Sequence, residues 1–320
     1  MLWELIMNAN TALIEALDLP STLEASAYPY TTIRSNGNHS VLISHTGRYR
    51  LFDVLEQIAC LIEDNVISDV QHPTINLLVT VLSNSLLTRE IANGALRHSP
   101  RQLFVNDLNR TLEIFNNIAN SKQFRKQLAN LSRMTTRNTV SLQRYVNDLF
   151  EIHSRLLIVR VDFHYLKSEC NHLSLEQVMK DRDVFIRQVK REHPYLVGMC
   201  WKMEYGRDRS YHYHMVFFFN GAKVQQDVTL GKQVGELWLE VTEGAGTYYN
   251  CNANKSKYDE CYLGQINYDD TDKRAALTHA SYLTKVDESI IAVQLNDKAR
   301  IFGKMSLPKH TSAAGRPRRR

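Results

Sequence analysis

Two strand-like runs joined by a short turn constrain the fold of this chain most. Leu196–Glu204 and Tyr211–Phe219 are rich in apolar and aromatic side chains, and the polar segment Gly206–Ser210 separates them. Strands joined this closely pair antiparallel, because a parallel pairing needs a crossover of a dozen or more residues. The alternating run Leu156–Phe163 adds a further strand. The second half of the chain is therefore predicted to contain an antiparallel sheet.

Helical patterns alternate with these strands. Ser174 and Glu176 open a predicted helix over Leu173–Glu192, and Asp272 is expected to cap a helix that runs to Lys285. The resulting order, β-α-β-β-α-β-α, predicts an α+β fold of ferredoxin-like or RRM-like layout, with helices on one face of the antiparallel sheet. The remaining elements of this order are a helix over residues 229–241 and a short strand over residues 247–251.

The first half of the chain is mostly helical by its hydrophobic spacing. The pair Asn36-Gly37 predicts a small hairpin, because this pair favours tight hairpin turns. Helices are predicted over residues 1–20, 51–67, 74–95, 102–119 and 122–153, with a break in the last at 133–137. We therefore expect a mostly α-helical accessory domain over residues 1–135, a second domain over 136–305 and a basic tail over 306–320.

Charge is unevenly distributed along the 320 residues. The net charge is +5, and residues 298–320 contain eight basic and no acidic side chains. A short basic end of this kind commonly contacts nucleic-acid phosphates, although a solvated tail has the same composition. No run of 18 apolar residues and no signal-peptide pattern occurs, which favours a cytoplasmic protein without a membrane partner. The five cysteines form no CxxC pair, which argues against a disulfide framework or a thiolate zinc site.

The hairpin carries the residues best suited to bind a metal ion. His212 and His214 are two apart on a predicted strand and so point to the same face. If Tyr205 pairs with Tyr211, Glu204 lies opposite His212, with Cβ atoms about 5 Å apart. Two imidazoles and one carboxylate suit a divalent cation with open coordination positions, Mn²⁺ or Mg²⁺. A chance His-x-His pair is the alternative, and a register slip of one residue would turn Glu204 away.

A second group lies on the last predicted helix. Tyr282 and Lys285 are three apart, and His279 is three before Tyr282, so the three side chains share a face. A tyrosine phenol has a pKa of about 10 and attacks phosphate only when a nearby cation favours the phenolate or neutralises the phosphate. Lys285 could do either. Alone, a Tyr-x-x-Lys pattern also fits a half-buried tyrosine beside a solvated lysine.

Three segments together resemble the HUH endonuclease superfamily. More narrowly, they resemble the carboxy-terminal domain of the YagK/YfjJ family, which groups prophage proteins with inovirus replication initiators. The segments are the strand LLIVRVDFHY (156–165), the hairpin WKMEYGRDRSYHYHMVFFF (201–219) and the helix ALTHASYLTK (276–285). The resemblance covers about residues 140–305 and says little about residues 1–135.

The resemblance implies an activity and a role for each candidate residue. His212 and His214 match the two metal-binding histidines, and Glu204 matches the acidic third ligand of many viral initiators. Tyr282 matches the nucleophile and Lys285 its companion. The implied activity is a phosphodiester transesterification, in which single-stranded or melted origin DNA is nicked through a 5′-phosphotyrosine. This metal-dependent step, with Mn²⁺ or Mg²⁺, starts rolling-circle replication of a phage or mobile element in a bacterial host.

Other residues are weaker candidates. The strand that ends at Asp162 and His164 matches the first family motif by location only, and Asp162 could face the metal or bond the backbone. His279 is a further candidate near the nucleophile. A host helicase is a candidate partner of the helical domain, and the oligomeric state is left open. DNA contacts are expected from the hairpin turn and the tail, at Arg207, Arg209, Tyr211, Arg316, Arg318, Arg319 and Arg320.

Three alternative functions stay open. A non-catalytic nucleic-acid-binding prophage protein on an RRM-like sheet would not depend on Tyr282. A transposase or plasmid relaxase would use the same chemistry, and relaxases tend to carry a third histidine where this chain has Glu204. A structural or regulatory prophage protein with a decayed site is the third, and the intact candidate residues argue against it. The single motif tyrosine puts in question a complete initiation and termination cycle by one molecule.

Overall fold

A computed structural model describes residues 11–36, 39–47, 50–67, 72–97, 101–170, 173–206, 209–258, 262–278, 283–285, 290–291 and 300–307. The chain divides into two compact units. The described residues of the first lie mainly in 11–133, and those of the second lie in 134–204, 209–285 and 300–307. Within the described ranges, no helix combines the length and the apolar character that a membrane crossing requires.

The first unit is mainly helical, with one small hairpin. Strands β1 (Thr31–Asn36) and β2 (His39–Ser44) pair antiparallel with Asn36 opposite His39, as the Asn36-Gly37 pair predicts. Apolar side chains at helical spacing, such as Val54 and Ile58, are buried in its core. The helices are α1 (Leu19–Glu24), α2 (Leu51–Glu63), α3 (Pro73–Ser83), α4 (Leu87–Ala92), α5 (Gln102–Ala119) and the first part of α6 (Lys122–Ile152).

The single helix expected over residues 74–95 is wrong, because the chain forms α3 and α4 with an interruption between them. The Asn84 side chain donates a hydrogen bond to the Thr80 carbonyl at 2.8 Å. The Ser85 hydroxyl accepts one from the Leu87 amide at 3.1 Å. Polar side chains that bond the backbone in this way end one helix and begin the next.

The break expected at residues 133–137 is also wrong, because α6 continues through this polar stretch. The Thr139 hydroxyl donates a hydrogen bond to the Thr135 carbonyl at 3.0 Å, so a polar side chain there bonds within the helix. Buried apolar residues occur on both sides of the stretch, at Phe124 and Leu142. Packing on either side therefore maintains the helix where local composition favoured a boundary.

The second unit is built on an antiparallel sheet, and the predicted α+β fold is confirmed. Its elements are β3 (Arg155–Tyr165), α7 (Leu175–Glu192), β4 (Leu196–Gly206), β5 (Ser210–Asn220), α8 (Asp227–Val241), β6 (Gly246–Asn250), a 3₁₀ helix (Cys251–Lys257), β7 (Gly264–Asn267), α9 (Thr271–Thr278) and β8 (Phe302–Lys304). The strand order is β6-β3-β5-β4-β8, and β7 also pairs with β3. Strands β7 and β8 were not predicted, because they are too short to carry an alternating pattern.

Helix α8 contains two glycines, a residue type with low helix propensity. A Cβ built at Gly235 would lie 2.2 Å from the ring of Tyr248 on β6, and one at Gly231 would lie 2.6 Å from Oδ1 of Asn250. Glycine therefore permits a close approach between the helix and the strand. Packing against β6 explains why residues with low helix propensity lie inside α8.

Both faces of the sheet carry helices, so the expectation of helices on one face is wrong. Helices α7 and α8 cover one face, where Phe185 and Trp238 pack on Phe163 with ring centroids 4.8 and 5.4 Å apart. On the other face, Leu142, Val146 and Leu149 of α6 share a buried cluster with Ile158 and Phe218 of the sheet. This second layer explains the unbroken apolar run at the start of β3.

Along β3, the face of the sheet that α6 covers changes from apolar to polar side chains. Side chains alternate between faces, so Ile158, Arg160, Asp162 and His164 share this one. Ile158 belongs to the cluster with α6, whereas the three that follow are polar. The β3–β5 register pairs Asp162 with His214. His212 and His214 of β5 therefore project from the same face, next to the polar end of β3.

Candidate metal centre

Glu204 of β4 and two histidines of β5 form a cluster that could hold a metal ion. The Nε2 atoms of His212 and His214 each lie 3.3 Å from Oε2 of Glu204. The three candidate ligand atoms lie within 4.8 Å of one another. The convergence predicted from the hairpin is confirmed, since alternation along β5 places both rings on one face and the hairpin returns Glu204 beside them.

Hydrogen bonds on the far side of each ring set its orientation. His212 donates from Nδ1 to the Ser210 carbonyl at 3.1 Å. His214 donates from Nδ1 to Oδ1 of Asp162 at 2.9 Å. With both Nδ1 atoms donating to these acceptors, both Nε2 atoms point to Glu204, where each can donate a hydrogen bond when its ring is charged or direct a lone pair to a metal ion when its ring is neutral. Lone pairs that face a carboxylate oxygen repel it unless a proton or a metal cation lies between them.

Asp162 orients His214 instead of joining the three ligand atoms. Its two carboxylate oxygens accept hydrogen bonds from Arg160 at 2.9 and 2.8 Å, in addition to the bond from His214. This side-chain network replaces the two roles expected for Asp162, facing the metal or bonding the backbone. A carboxylate on the second nitrogen of a ligand histidine fixes its tautomer and raises its basicity.

Burial and these contacts shift the pKa values of the cluster. Burial would raise the pKa of Asp162, but hydrogen bonds from His214 and Arg160 lower it to about 2. Burial would lower the pKa of His214, but its bonds to Asp162 and Glu204 raise it to about 9. Burial would raise the pKa of Glu204, yet hydrogen bonds from both histidines and Lys202 hold it far below its usual value. Without a metal ion, His214 therefore carries a proton near neutral pH.

Three polar side chains of this centre were assigned no role from the sequence: Arg160, His164 and Lys202. Lys202 is 5% exposed, and its ammonium group donates a hydrogen bond to Oε1 of Glu204. The ring of His164 stacks on that of His212 with centroids 5.3 Å apart. Burial and the neighbouring His212 lower the pKa of His164 to about 4, which keeps it neutral. The alternation of side chains along a strand places all three on this face, because each lies two residues from Asp162 or Glu204.

The donor set fits a divalent cation. Two imidazole nitrogens and one carboxylate oxygen suit a borderline ion such as Mn²⁺, and Mg²⁺ accepts the carboxylate with waters in its remaining positions. Three protein ligands leave part of an octahedral shell open to water or to a substrate oxygen. The two nitrogens aimed at one carboxylate oxygen of Glu204 mark where such an ion would be held.

The predicted nucleophile, Tyr282, lies outside the described residues, as does His279. Lys285 is described and exposed. The helix expected to run to Lys285 does not reach that residue, because Lys285 lies in a bend; α9 is described over Thr271–Thr278. The prediction that His279, Tyr282 and Lys285 share one face falls mainly on residues outside the described ranges and stays a prediction.

Tertiary packing explains the conformation just before Lys285. Leu283 and Thr284 are 1% and 2% exposed, and Leu283 belongs to the buried cluster beneath α6. The hydroxyl groups of Thr284 and Thr139 form a hydrogen bond of 2.8 Å. Contacts with α6 thus hold this segment, and helical spacing along the sequence contains no signal for them.

Two of the residues expected to contact DNA are described. Arg209 is exposed beside the histidine strand. Tyr211 is 6% exposed and lies on the face opposite to His212, so its ring is not open to a DNA base. Outside the described residues lie Arg207, Arg316, Arg318, Arg319 and Arg320.

Two half-buried tyrosines adjoin the centre. Tyr249 pairs directly with Asp162 across β3 and β6. The guanidinium of Arg160 lies 5.8 Å from the ring centroid of Tyr258. Burial and a hydrogen bond with Cys251 raise the pKa of Tyr258 above its usual value, so its phenol is protonated at neutral pH.

Comparison with known families identifies one match. The YagK/YfjJ C-terminal domain matches residues 118–305, which is more than half of the chain and includes the whole cluster around Glu204. The resemblance inferred from the strand, the hairpin and the helix is confirmed for this domain. Comparison with curated proteins and with solved structures gives no match.

Proposed function

The chain belongs to the YagK/YfjJ C-terminal domain family, and on that premise and the geometry of the centre we propose that it is a metal-dependent DNA nickase of the HUH endonuclease type. It cleaves one strand of an origin by phosphodiester transesterification and so initiates rolling-circle replication of a phage or mobile element. Its substrate is single-stranded or locally melted DNA, its cofactor is Mn²⁺ or Mg²⁺, and it acts in the cytoplasm of a bacterial host.

One observation carries the proposal. Two histidines use their Nδ1 protons in hydrogen bonds and aim their Nε2 atoms at the same oxygen of Glu204, each at 3.3 Å. Histidines that only fill a core need no such shared target. Two imidazole nitrogens directed at one carboxylate oxygen, each ring held by a hydrogen bond on its other nitrogen, are typical of a metal centre. The metal centre, in turn, is what a nickase of this type requires.

The residues of the centre divide into ligands and residues that position them. Glu204, His212 and His214 would hold the cation, which when bound supplies Lewis-acid polarisation of one phosphodiester. Asp162 keeps the ring of His214 in the tautomer that directs Nε2 into the centre. Arg160 keeps Asp162 ionised and in place through two hydrogen bonds.

Tyr282 is the proposed nucleophile. Its phenol oxygen forms a bond to phosphorus while the bond from phosphorus to the 3′ oxygen of the preceding nucleotide breaks. The phenol proton is lost to solvent and the leaving oxygen takes up a proton. The products are a 5′-phosphotyrosyl link and a free 3′-hydroxyl that can prime synthesis. The exposed ammonium group of Lys285 would favour the phenolate or neutralise the phosphate.

The alternative, a non-catalytic nucleic-acid-binding protein, has less support. Modules of the RRM type stack bases on exposed aromatic rings of the sheet. Tyr211 and Tyr213 of β5 are instead buried on the face that α7 and α8 cover. The other face carries the charged network around Asp162 and Glu204. This distribution favours phosphate chemistry over base stacking.

A nicking assay on supercoiled DNA tests the proposal. A plasmid carrying the element's own origin is incubated with the protein and Mn²⁺, and open-circular DNA is expected because one strand is cut. Chelation of the metal or His214→Ala should slow nicking by at least about 100-fold. His193→Ala, at the end of α7, is the matched control and should nick at the wild-type rate. Intact supercoiled DNA after incubation with metal-loaded wild-type protein would contradict the proposal.

A further inference from the structure

Lys202 is a buried cation at the edge of the metal centre. It lies two residues before Glu204 on β4, so both side chains project from the same face of the strand. Its side chain is 5% exposed, and the ammonium group donates a hydrogen bond to Oε1 of Glu204. Lysine is rarely buried to this extent unless it is paired, because an isolated buried ammonium group is strongly destabilising.

The two oxygens of Glu204 are therefore directed to different partners. Oε1 accepts the hydrogen bond from Lys202, whereas Oε2 lies 3.3 Å from the Nε2 atoms of His212 and His214. Only Oε2 faces the position where both imidazoles converge. A metal ion held at that position would meet one carboxylate oxygen, because the other accepts a hydrogen bond from Lys202.

We propose that Lys202 determines which metal ion the centre accepts, by restricting Glu204 to monodentate coordination. This inference rests on the proposed metal centre and is independent of the nicking reaction. Mg²⁺ and Mn²⁺ take octahedral shells, for which a monodentate carboxylate suffices. Ca²⁺ takes about six to eight oxygen ligands, often including a bidentate carboxylate. Locking Oε1 on Lys202 therefore disfavours Ca²⁺ and leaves more positions of the smaller ions open to substrate oxygens.

The charge of Lys202 should also lower the affinity of the centre for every divalent ion. A positive charge this close to the ligand oxygen repels any divalent cation. Its removal should therefore tighten the binding of every divalent ion, and should favour Ca²⁺ most because Oε1 of Glu204 becomes free. A lysine that only supported the fold would show the opposite, since a loosened site binds all ions more weakly.

Metal binding by purified full-length variants tests the inference without reference to DNA cleavage. Mn²⁺ affinity is measured from the free-ion signal in electron paramagnetic resonance, and Ca²⁺ affinity by competition. Lys202→Met removes the charge and keeps the length of the side chain. Lys202→Arg keeps the charge. Lys304→Met, which removes an ammonium group bonded to Ser141 from the adjacent strand β8, is the matched control.

We expect Lys202→Met to bind Mn²⁺ about threefold and Ca²⁺ about thirtyfold more tightly than the wild type, which lowers the preference for Mn²⁺ about tenfold. Lys202→Arg and Lys304→Met should keep the wild-type preference within about twofold. An unchanged preference in Lys202→Met, or equal weakening of both ions, would overturn the inference. If Lys202→Met lacks a cooperative thermal transition, Lys202→Leu replaces it.

A crystal structure of the Mn²⁺-bound wild type provides a measurement that needs no variant. The inference expects Oε2 of Glu204 on the ion and Oε1 on Lys202, and a bidentate Glu204 overturns it. If the wild type binds Mn²⁺ selectively but does not nick origin DNA, the proposed function fails and the role of Lys202 stands. If the wild type binds neither ion, the inference fails together with the metal centre.

Discussion

Nδ1 of His214 lies 2.9 Å from Oδ1 of Asp162, its direct partner across strands β3 and β5. The register that builds the sheet therefore also fixes the ring of a candidate metal ligand. A slip of one residue would move Asp162 to the other face and leave His214 without this carboxylate. The geometry of the centre is thus tied to the central strand pair of the second unit.

Asp162→Asn tests the importance of that contact. The amide removes the negative charge that favours the Nδ1 tautomer of His214, and carboxylate partners of this kind typically contribute 10- to 100-fold to metal affinity. We expect Mn²⁺ affinity to fall by roughly that factor, measured by calorimetry.

The control for this variant is Asp181→Asn. Asp181 is also a buried aspartate of the second unit. It accepts hydrogen bonds from Tyr165 and Gln177 on the face of the sheet that α7 and α8 cover. Its replacement should leave Mn²⁺ affinity within about twofold of the wild type. Equal loss of affinity in Asp162→Asn and Asp181→Asn would mean that general destabilisation, and not the contact with His214, causes the effect.

Metal binding should release protons below pH 9. The pKa of His214 is raised to about 9, so the ring is protonated in the metal-free protein at neutral pH, whereas a ligand histidine must be neutral. The pKa of Glu204 is lowered, so this ligand is already ionised and releases none. Apparent Mn²⁺ affinity should therefore rise about tenfold per pH unit between pH 7 and 9 and then level off. Calorimetry in buffers of different ionisation enthalpy measures the proton count, and a pH-independent affinity would refute this assignment.

The metal ion should stabilise the fold through its ligands. At a concentration a hundredfold above its dissociation constant, an ion that binds only the folded state adds about 2.7 kcal/mol to the free energy of unfolding. Mn²⁺ should therefore raise the melting temperature of the wild type in thermal denaturation. His212→Ala should abolish this increase while His193→Ala retains it. An equal increase in both variants would place the ion elsewhere.

The approach of α8 to β6 can be tested with Gly235→Ala. Alanine favours helices, but its Cβ would lie 2.2 Å from the ring of Tyr248, so the two elements must separate or the ring must move. We expect a loss of about 1–3 kcal/mol in the free energy of unfolding by chemical denaturation. Gln233→Ala, at an exposed position of the same helix, should change stability by less than about 0.5 kcal/mol. A stabilised Gly235→Ala protein would show that the close approach is absent in solution.

Local sequence patterns predicted the sheet well, because its strands are long and strongly patterned. The hairpin that carries Glu204, His212 and His214 needed only alternation and a short turn. The same alternation along β3 and β4 places Arg160, His164 and Lys202 on the face of the centre, since each lies two residues from Asp162 or Glu204.

Features set by tertiary contacts were not predictable in the same way. Helix α6 crosses a polar stretch because buried apolar residues pack on both sides of it, and Lys285 lies in a bend although the helical pattern of the sequence continues to it. Thr284 is held by Thr139, 145 residues earlier in the chain. Pairs this distant leave no local pattern, so the spacing of Tyr282 and Lys285 could not establish their geometry.

The formation of a covalent protein–DNA adduct tests the central claim most directly. End-labelled single-stranded DNA from the element's own origin is incubated with the protein, with and without Mn²⁺, and analysed on a denaturing gel. The account predicts a shifted band that requires Mn²⁺, disappears in Tyr282→Phe and persists in Tyr258→Phe, which removes a phenol beside the centre. A band that survives Tyr282→Phe would contradict the choice of nucleophile, and no band despite metal and DNA binding would contradict the nickase itself.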